Sequence, residues 1–158
     1  MLQCMASTPA QPRQCSVART LELVGEKWAI LAVREVFFGN RRFDEMVRRI
    51  GAPRDTLAAR LRALVGAGIL HRRQYSEHPA RFEYHLTQAG RDLYPVVLTL
   101  MRWGDTYLSG DDGPPLALEH ECGHPLTAQV VCEACGAPAT AATVKPGNSP
   151  REPKRTIR

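Results

Sequence analysis

The most reactive side chains in this 158-residue chain lie close together near its C-terminal end. His120-Glu-Cys122-Gly-His124 is followed, after residues 125–131, by Cys132-Glu-Ala-Cys135-Gly136. A Cys-x-x-Cys-Gly turn points main-chain N–H groups at its thiolates, and Cys122-Gly123 supplies a shorter counterpart. Three thiolates and one imidazole would close a tetrahedral Zn²⁺ site of the structural type. The expected ligands are therefore Cys122, Cys132 and Cys135 with either His120 or His124, which flank Cys122 symmetrically. The residues between the two groups are long enough for a tiny β-hairpin, with Gln129-Val-Val131 extended. A unit of this size, taken as residues 116–144, has almost no core, so the metal would supply most of its folding free energy. A metal-free, reversible Cys132–Cys135 dithiol and an unliganded tail are the alternatives.

The other two cysteines are Cys4 and Cys15. Five cysteines are an odd number, which argues against a disulfide framework and for metal or redox chemistry. Cys15 stands at the start of the first helix, where N–H groups and the helix dipole favour a thiolate. Cys4 has no evident role.

Charge is the second chemical signal. The net charge is +5, but residues 41–81 carry ten basic against four acidic side chains, and residues 82–144 carry two against eight. The positive segment is the one a phosphate backbone would attract.

The elements that carry this charge follow from spacing. Val17, Leu21 and Val24, with Ala18 between, form a helical stripe that Gly25 ends. Lys27 to Phe38 is a second helix, with Trp28 as its core anchor. Phe43–Ile50 is short and amphipathic, with Met46, Val47 and Ile50 facing inward. Gly51-Ala-Pro53 makes a turn, and Arg54–Val65 buries Leu57, Leu61, Leu64 and Val65. Pro53 suits a first helical turn, whereas Ala52 at the N-cap cannot cap, a loss of about 1 kcal/mol unless Asp55 starts the helix. Ile69–Tyr75 and Phe82–Leu86 read as strands joined by a polar loop. Two helices around a tight turn, then a hairpin, is the order of a winged helix-turn-helix. A long apolar helix runs from about Gly90 to Tyr107, with Pro95 either tolerated near its first turn or kinking it. It is suited to a core or to a subunit interface.

The fold class is thus mainly α with a small β-hairpin wing, plus a small Cys/His-rich C-terminal unit. Residues 1–14 are expected to be a flexible arm, 15–109 the DNA-binding and dimerisation domain, 116–144 the zinc-ribbon-like unit and 145–158 a disordered basic tail. No apolar run approaches the length of a membrane span and no signal peptide is evident, which predicts a cytoplasmic protein without membrane partners. No phosphate loop, nucleophile elbow or acid/base pair is visible, which argues against an enzyme.

Several motifs in register resemble the HxlR-type transcriptional regulators, a branch of the MarR-like winged-helix proteins. They are Cys15-Ser-Val-Ala-Arg-Thr-Leu-Glu-Leu-Val-Gly-Glu-Lys-Trp28, Leu31-Ala-Val-Arg-Glu35, Arg42-Phe43, Thr56–Leu64, Gly68-Ile-Leu70, Phe82–Thr87, Gly90-Arg-Asp-Leu93 and Trp103-Gly104. The resemblance implies a homodimer built from the first and last helices of that stretch. It also implies a recognition helix at about Pro53–Ala67 in the major groove of double-stranded DNA, with wings toward the minor groove, and a pseudo-palindromic operator. On that placement Arg54, Thr56 and Arg60 contact bases or phosphates, and Arg81 with Arg72 or Arg73 acts from the wing. Cys15 becomes a candidate sensor of electrophiles or oxidants. The function expected is a sequence-specific regulator, a repressor, responsive to redox change or to a small-molecule effector that the sequence does not identify. A winged-helix module for protein contacts and a thiol- or metal-dependent enzyme are the competing readings.

Overall fold

Apolar residues recurring at three and four positions place four helices in the first half of the chain, seen in a computed structural model that describes residues 15–147. The arm with Cys4, and residues 148–158 of the basic tail, lie outside the described residues. Helix α1 (Ser16–Val24) starts at Cys15, and the Gly25 amide closes it on Leu21 O at 2.8 Å. Its apolar stripe forms as expected, but only Val24 is buried; Val17 and Leu21 face solvent.

Helix α2 (Lys27–Phe37) is the central rod. Ala29, Ala32, Val33 and Val36 are buried, and these small side chains let its neighbours approach closely. Trp28 lies at the rim rather than the centre, partly buried, with the Lys27 ammonium 4.3 Å from its ring centroid. Glu35 is buried too, and its carboxylate accepts from Arg34 at 2.6 Å and from Asn40 Nδ2 at 2.7 Å. The Asn40 amide donates to the carbonyl of the same glutamate at 2.9 Å, so one residue seals the C-terminal end of α2. A buried carboxylate without these partners would cost several kcal/mol.

Helix α3 (Phe43–Ile50) buries Met46, with Asp44 and Glu45 in its first turn and Arg48 and Arg49 in its last, as the helix dipole favours. It ends on Gly51 in the left-handed region at φ 69°. The next helix, α4 (Arg54–Gly66), starts at Arg54 as its apolar spacing suggests, but Pro53 takes the N-cap position expected of Ala52, and no side chain caps the helix. Ala52 is not an N-cap at all. It is 5% exposed and part of the core, so a small apolar residue there serves packing between α3 and α4. Leu57, Leu61 and Leu64 are buried against α2, each contributing about 1.5–3 kcal/mol by its removal from water.

Strands β1 (Leu70–Ser76) and β2 (Arg81–Leu86) form the antiparallel wing, with Leu70 opposite Leu86, Arg72 opposite Tyr84 and Arg73 opposite Glu83. The register shifts between Gln74 and Ser76, which leaves Tyr75 in a bulge. Arg42 pairs with Glu83 as a fragment of a third strand, and Tyr84 N donates to Arg41 O at 2.9 Å.

The expected single helix from about Gly90 is two helices. A one-turn helix α5 (Gln88–Arg91) is capped by Thr87, and α6 (Tyr94–Tyr107) begins afresh with Pro95 in its first turn. Pro95 therefore starts α6 and does not kink it, because the first-turn N–H has no helical acceptor to lose. Of the α6 residues only Val97 is fully buried. None of the described helices is long and apolar enough to cross a membrane.

Both ends of the wing meet at Thr87. Its hydroxyl donates to Gly68 O at 2.6 Å and accepts the Gly90 amide at 3.1 Å, while Thr87 N donates to Ile69 O at 3.1 Å. Gly90 packs so closely here that a Cβ would stand 2.3 Å from Ile69 O and 3.0 Å from Leu86 Cδ2. Gly66, in the last turn of α4, has open space where its Cβ would be. Gly90→Ala is expected to destabilise the fold by about 1–3 kcal/mol through overpacking, whereas Gly66→Ala should be neutral or stabilising by up to about 1 kcal/mol. Chemical denaturation of the two variants checks both signs.

Candidate nucleic-acid interface

The side of α4 opposite its leucines carries Asp55, Ala59, Arg62, Ala63 and Gly66, all exposed, with Thr56 half-buried at the flank. This face is mostly small side chains, so a groove could approach its backbone closely. Its cation is Arg62, which was not among the six residues expected from sequence. The spacing Asp55, Ala59, Arg62, Gly66 at intervals of three and four was the signal that could have singled it out.

The expected arginines divide by what they already hold. Arg54 is exposed, but its guanidinium lies 2.7 Å from Asp44 and 4.9 Å from the Phe43 ring centroid, tying α4 to α3. Arg60 reaches back to Glu26 at the start of α2, 3.3 Å away, so it points along the protein surface instead of outward. Arg73 lies 3.6 Å from Glu83. Arg72 and Arg81 form no ion pair among the described residues, and neither does Arg62. Arg72 stacks over Phe82 at 4.3 Å, which fixes its stem and leaves its charge available. Arg62 and Arg72 both act electrostatically on the Tyr84 phenol, which brings the two cations to one side of the α4–wing junction. Burial raises the Tyr84 pKa above its ordinary value against their pull. Arg81 opens β2 beside the wing loop.

The other face of the wing is a charge cluster around Glu83. Arg42 donates to it at 3.1 Å, and Arg73 and His85 Nε2 each lie 3.6 Å away. The Arg42 hydrogen bond, more than the added charge of Arg73 and His85, holds the Glu83 carboxyl below its ordinary range. Arg42 also stands over the Tyr75 ring at 4.6 Å, so the bulge brings this aromatic residue to the same cluster. His85 stacks on His71 at 5.5 Å, and its Nε2 is buried without a hydrogen-bond partner. Burial, followed by the charges of Arg73, Arg41 and His71, lowers its pKa against the weaker opposing pull of Glu83.

The cysteines are all exposed among the described residues, Cys15 at the N-cap of α1 and Cys122, Cys132 and Cys135 in the C-terminal segment. That segment does not contain the expected hairpin at 125–131. It contains two successive tight turns, closed by bridges between Glu119 and Pro125 and between Val131 and Pro138. His120 Nδ1 accepts the Cys122 amide and His124 Nδ1 lies 3.2 Å from Cys122 O, so both imidazoles are engaged within their own turn. Cys132 and Cys135 lie in one tight turn, but no group of three His, Cys, Asp or Glu side chains comes together to hold a metal ion among the described residues.

The wing cluster has a definite acid response. A histidine whose folded pKa is depressed leaves stability intact above its unfolded value of 6.5 and loses it as pH falls from there through the folded pKa. Glu83, depressed below 4.5, adds a second loss at still lower pH. The melting temperature should therefore fall between about pH 7 and 5, and His85→Gln should flatten that part of the profile while leaving the lower-pH loss in place. Calorimetry of both proteins across this range checks it.

A model of the HxlR-like helix-turn-helix family matches residues 23–112, the segment holding α2 to α6 with the wing. An uncharacterized HTH-type transcriptional regulator of Mycobacterium tuberculosis is 49% identical over 136 residues, which cover 85% of this chain and 86% of that protein. Among solved structures, the transcription factor PA1607 superposes with a TM-score of 0.76 at 33% identity, covering 90% of this chain and all of that one. The redox regulator HypR in its oxidized form gives a TM-score of 0.51 at 37% identity over 58% of this chain and 96% of its own. With an exposed helix-turn-helix, a basic wing and these relatives, the chain belongs to the HxlR-like helix-turn-helix family, whose members found here are transcriptional regulators and not enzymes.

Proposed function

We propose that the protein is a repressor that binds a pseudo-palindromic operator as a homodimer, with α4 in the major groove and the wing on the flanking backbone. The observation that carries the DNA contact is the set Arg62, Arg72 and Arg81, which forms no ion pair among the described residues and spans the exposed face of α4 and the wing. Phosphate contacts of this kind need cations that are not already neutralised within the fold. Arg54, Arg60 and Arg73 then act chiefly by holding α3, α2 and β2 in place, and Thr56 flanks the groove-facing surface.

Support for the homodimer comes from uncovered apolar faces. Val96, Leu100, Trp103 and Tyr107 recur along one side of α6, with Leu100 and Trp103 each 55% exposed, and Trp103 packs on Tyr107 at 5.4 Å. Val17 and Leu21 form a matching stripe on α1. Such aligned aromatic and aliphatic stripes on the first and last long helices suit a two-fold interface with a second copy. Cys15 begins the α1 stripe, so its modification would be felt at that interface; the likeness to a redox regulator supports this reading. An open cleft lined by Arg34, Asn40, Arg49, Met101 and Asp105 separates α2 from the end of α6 and is the place for a small-molecule effector.

Selection from a random duplex pool should return an inverted repeat. On that duplex, Arg62→Ala, Arg72→Ala and Arg81→Ala should each weaken binding and lower the salt slope by about one, and Arg60→Ala should leave the slope unchanged. Slopes unaffected by the first three variants would refute this placement. Leu100→Glu with Trp103→Glu should give monomers in sedimentation and an operator affinity at least about ten-fold weaker. A dimer that persists in the double variant would move the interface elsewhere.

A further inference from the structure

The outward tip of α4 carries a charge of the wrong sign for its setting. Asp55 is the second residue of the helix, exposed, and on the side opposite Leu57, Leu61 and Leu64. Its carboxylate caps no helix amide, and it forms no ion pair among the described residues. The nearby cations are turned elsewhere: Arg54 lies 2.7 Å from Asp44 and against the Phe43 ring, and Arg60 lies 3.3 Å from Glu26. Arg62 shares the outward line but stands seven residues on, about 10 Å further along the axis.

The surroundings of this carboxylate suit a close approach. Ala59, Ala63 and Gly66 continue the same exposed face, and a Cβ at Gly66 would meet nothing within 4 Å. An aspartate is short, so it reaches a base edge only where the helix backbone comes near, and a face this low permits that. Residues at the N-terminal end of a recognition helix are the ones that meet base edges.

A carboxylate among phosphates is repelled, and stripping it of water without a donor in return is costly. When ionised it only accepts hydrogen bonds. In the major groove guanine offers two acceptors, thymine an acceptor and a methyl, and adenine an acceptor beside its amino group; cytosine alone offers a donor and no acceptor. We infer that Asp55 is a specificity-determining residue: it accepts from the N4 amino group of a cytosine at one position in each half-site and weakens binding to duplexes that lack it. This role rests on the placement of α4 in the major groove proposed above. Arg62, Arg72 and Arg81 then supply attraction common to all sequences, and Asp55 subtracts from it wherever the base is wrong.

The full chain and its Asp55→Asn and Asp55→Ala variants are each used to select from a random duplex pool, and affinities are measured on the selected duplexes and on a scrambled one. The native chain should enrich cytosine at one position of each half-site, and changing that pair should weaken its binding about ten-fold. Asp55→Asn should move the preference there to adenine, because an amide pairs with adenine N6 and N7 together. Asp55→Ala should enrich no base at that position and bind the scrambled duplex about two- to five-fold tighter at low salt. A purely structural role in the first turn would shift the melting temperature and leave the selected base unchanged. The same base profile from all three proteins, or no gain on the scrambled duplex with Asp55→Ala, would overturn the inference. If Arg62→Ala also keeps the native salt slope, the groove placement falls with it; if that slope drops as expected, only the role of Asp55 falls.

Discussion

The Thr87 hydroxyl joins the two halves of the reading head. By bonding Gly68 and receiving Gly90, it clamps the exit of α4 to the exit of β2, the two points from which the wing projects. A two-stranded ribbon has little stability of its own, and this one takes its direction from its base. The Arg41 and Arg42 backbone pairs with β2 supply a second anchor, so the wing is pinned both at its root and along one edge. Helix and hairpin therefore move as one body, which a protein must achieve if two elements are to address neighbouring grooves at once.

The basic charge of the head does two different jobs. Arg54, Arg60, Arg42 and Arg73 bind Asp44, Glu26 and Glu83, so they hold elements together at the surface. Exposed pairs of this kind contribute little energy each, and their value lies in fixing orientation. Arg62, Arg72 and Arg81 hold no ion pair among the described residues. A count of positive charge over the segment cannot separate these groups, because the acidic partners come from other elements.

Much of the fold was legible from spacing. The buried leucines of α4, the Gly51 turn, the wing and the open apolar sides of α1 and α6 follow from local periodicity and from glycine at its turn. What was not legible depended on residues distant in sequence. Arg60 looked like a groove contact because Glu26 is far from it along the chain. Trp28 looked central because of its size, yet alanine and valine fill the contact between α2 and α4. The break between α5 and α6 escaped because Thr87 bonds to the exit of α4 and Gly90 packs against it, which no helical pattern encodes. The paired turns near the C-terminal end were half legible: Cys122-Gly123 reads as a shorter counterpart of Cys135-Gly136, but the one-residue difference in length hid that the two turns share one backbone hydrogen-bond pattern.

Ala52 shows how finely the head is aimed. No side chain caps α4, and the turn that leads into it is anchored in the core through buried Ala52. A helix of 13 residues is a rod about 20 Å long. An added carbon at its root, about 1.5 Å, would tilt that rod by about 4° and swing its far end by a similar distance, close to half of the roughly 3.4 Å step between nucleotides on one strand. Read as a lever, a single carbon added at Ala52 would move the far end of the helix by a sizeable fraction of a base step.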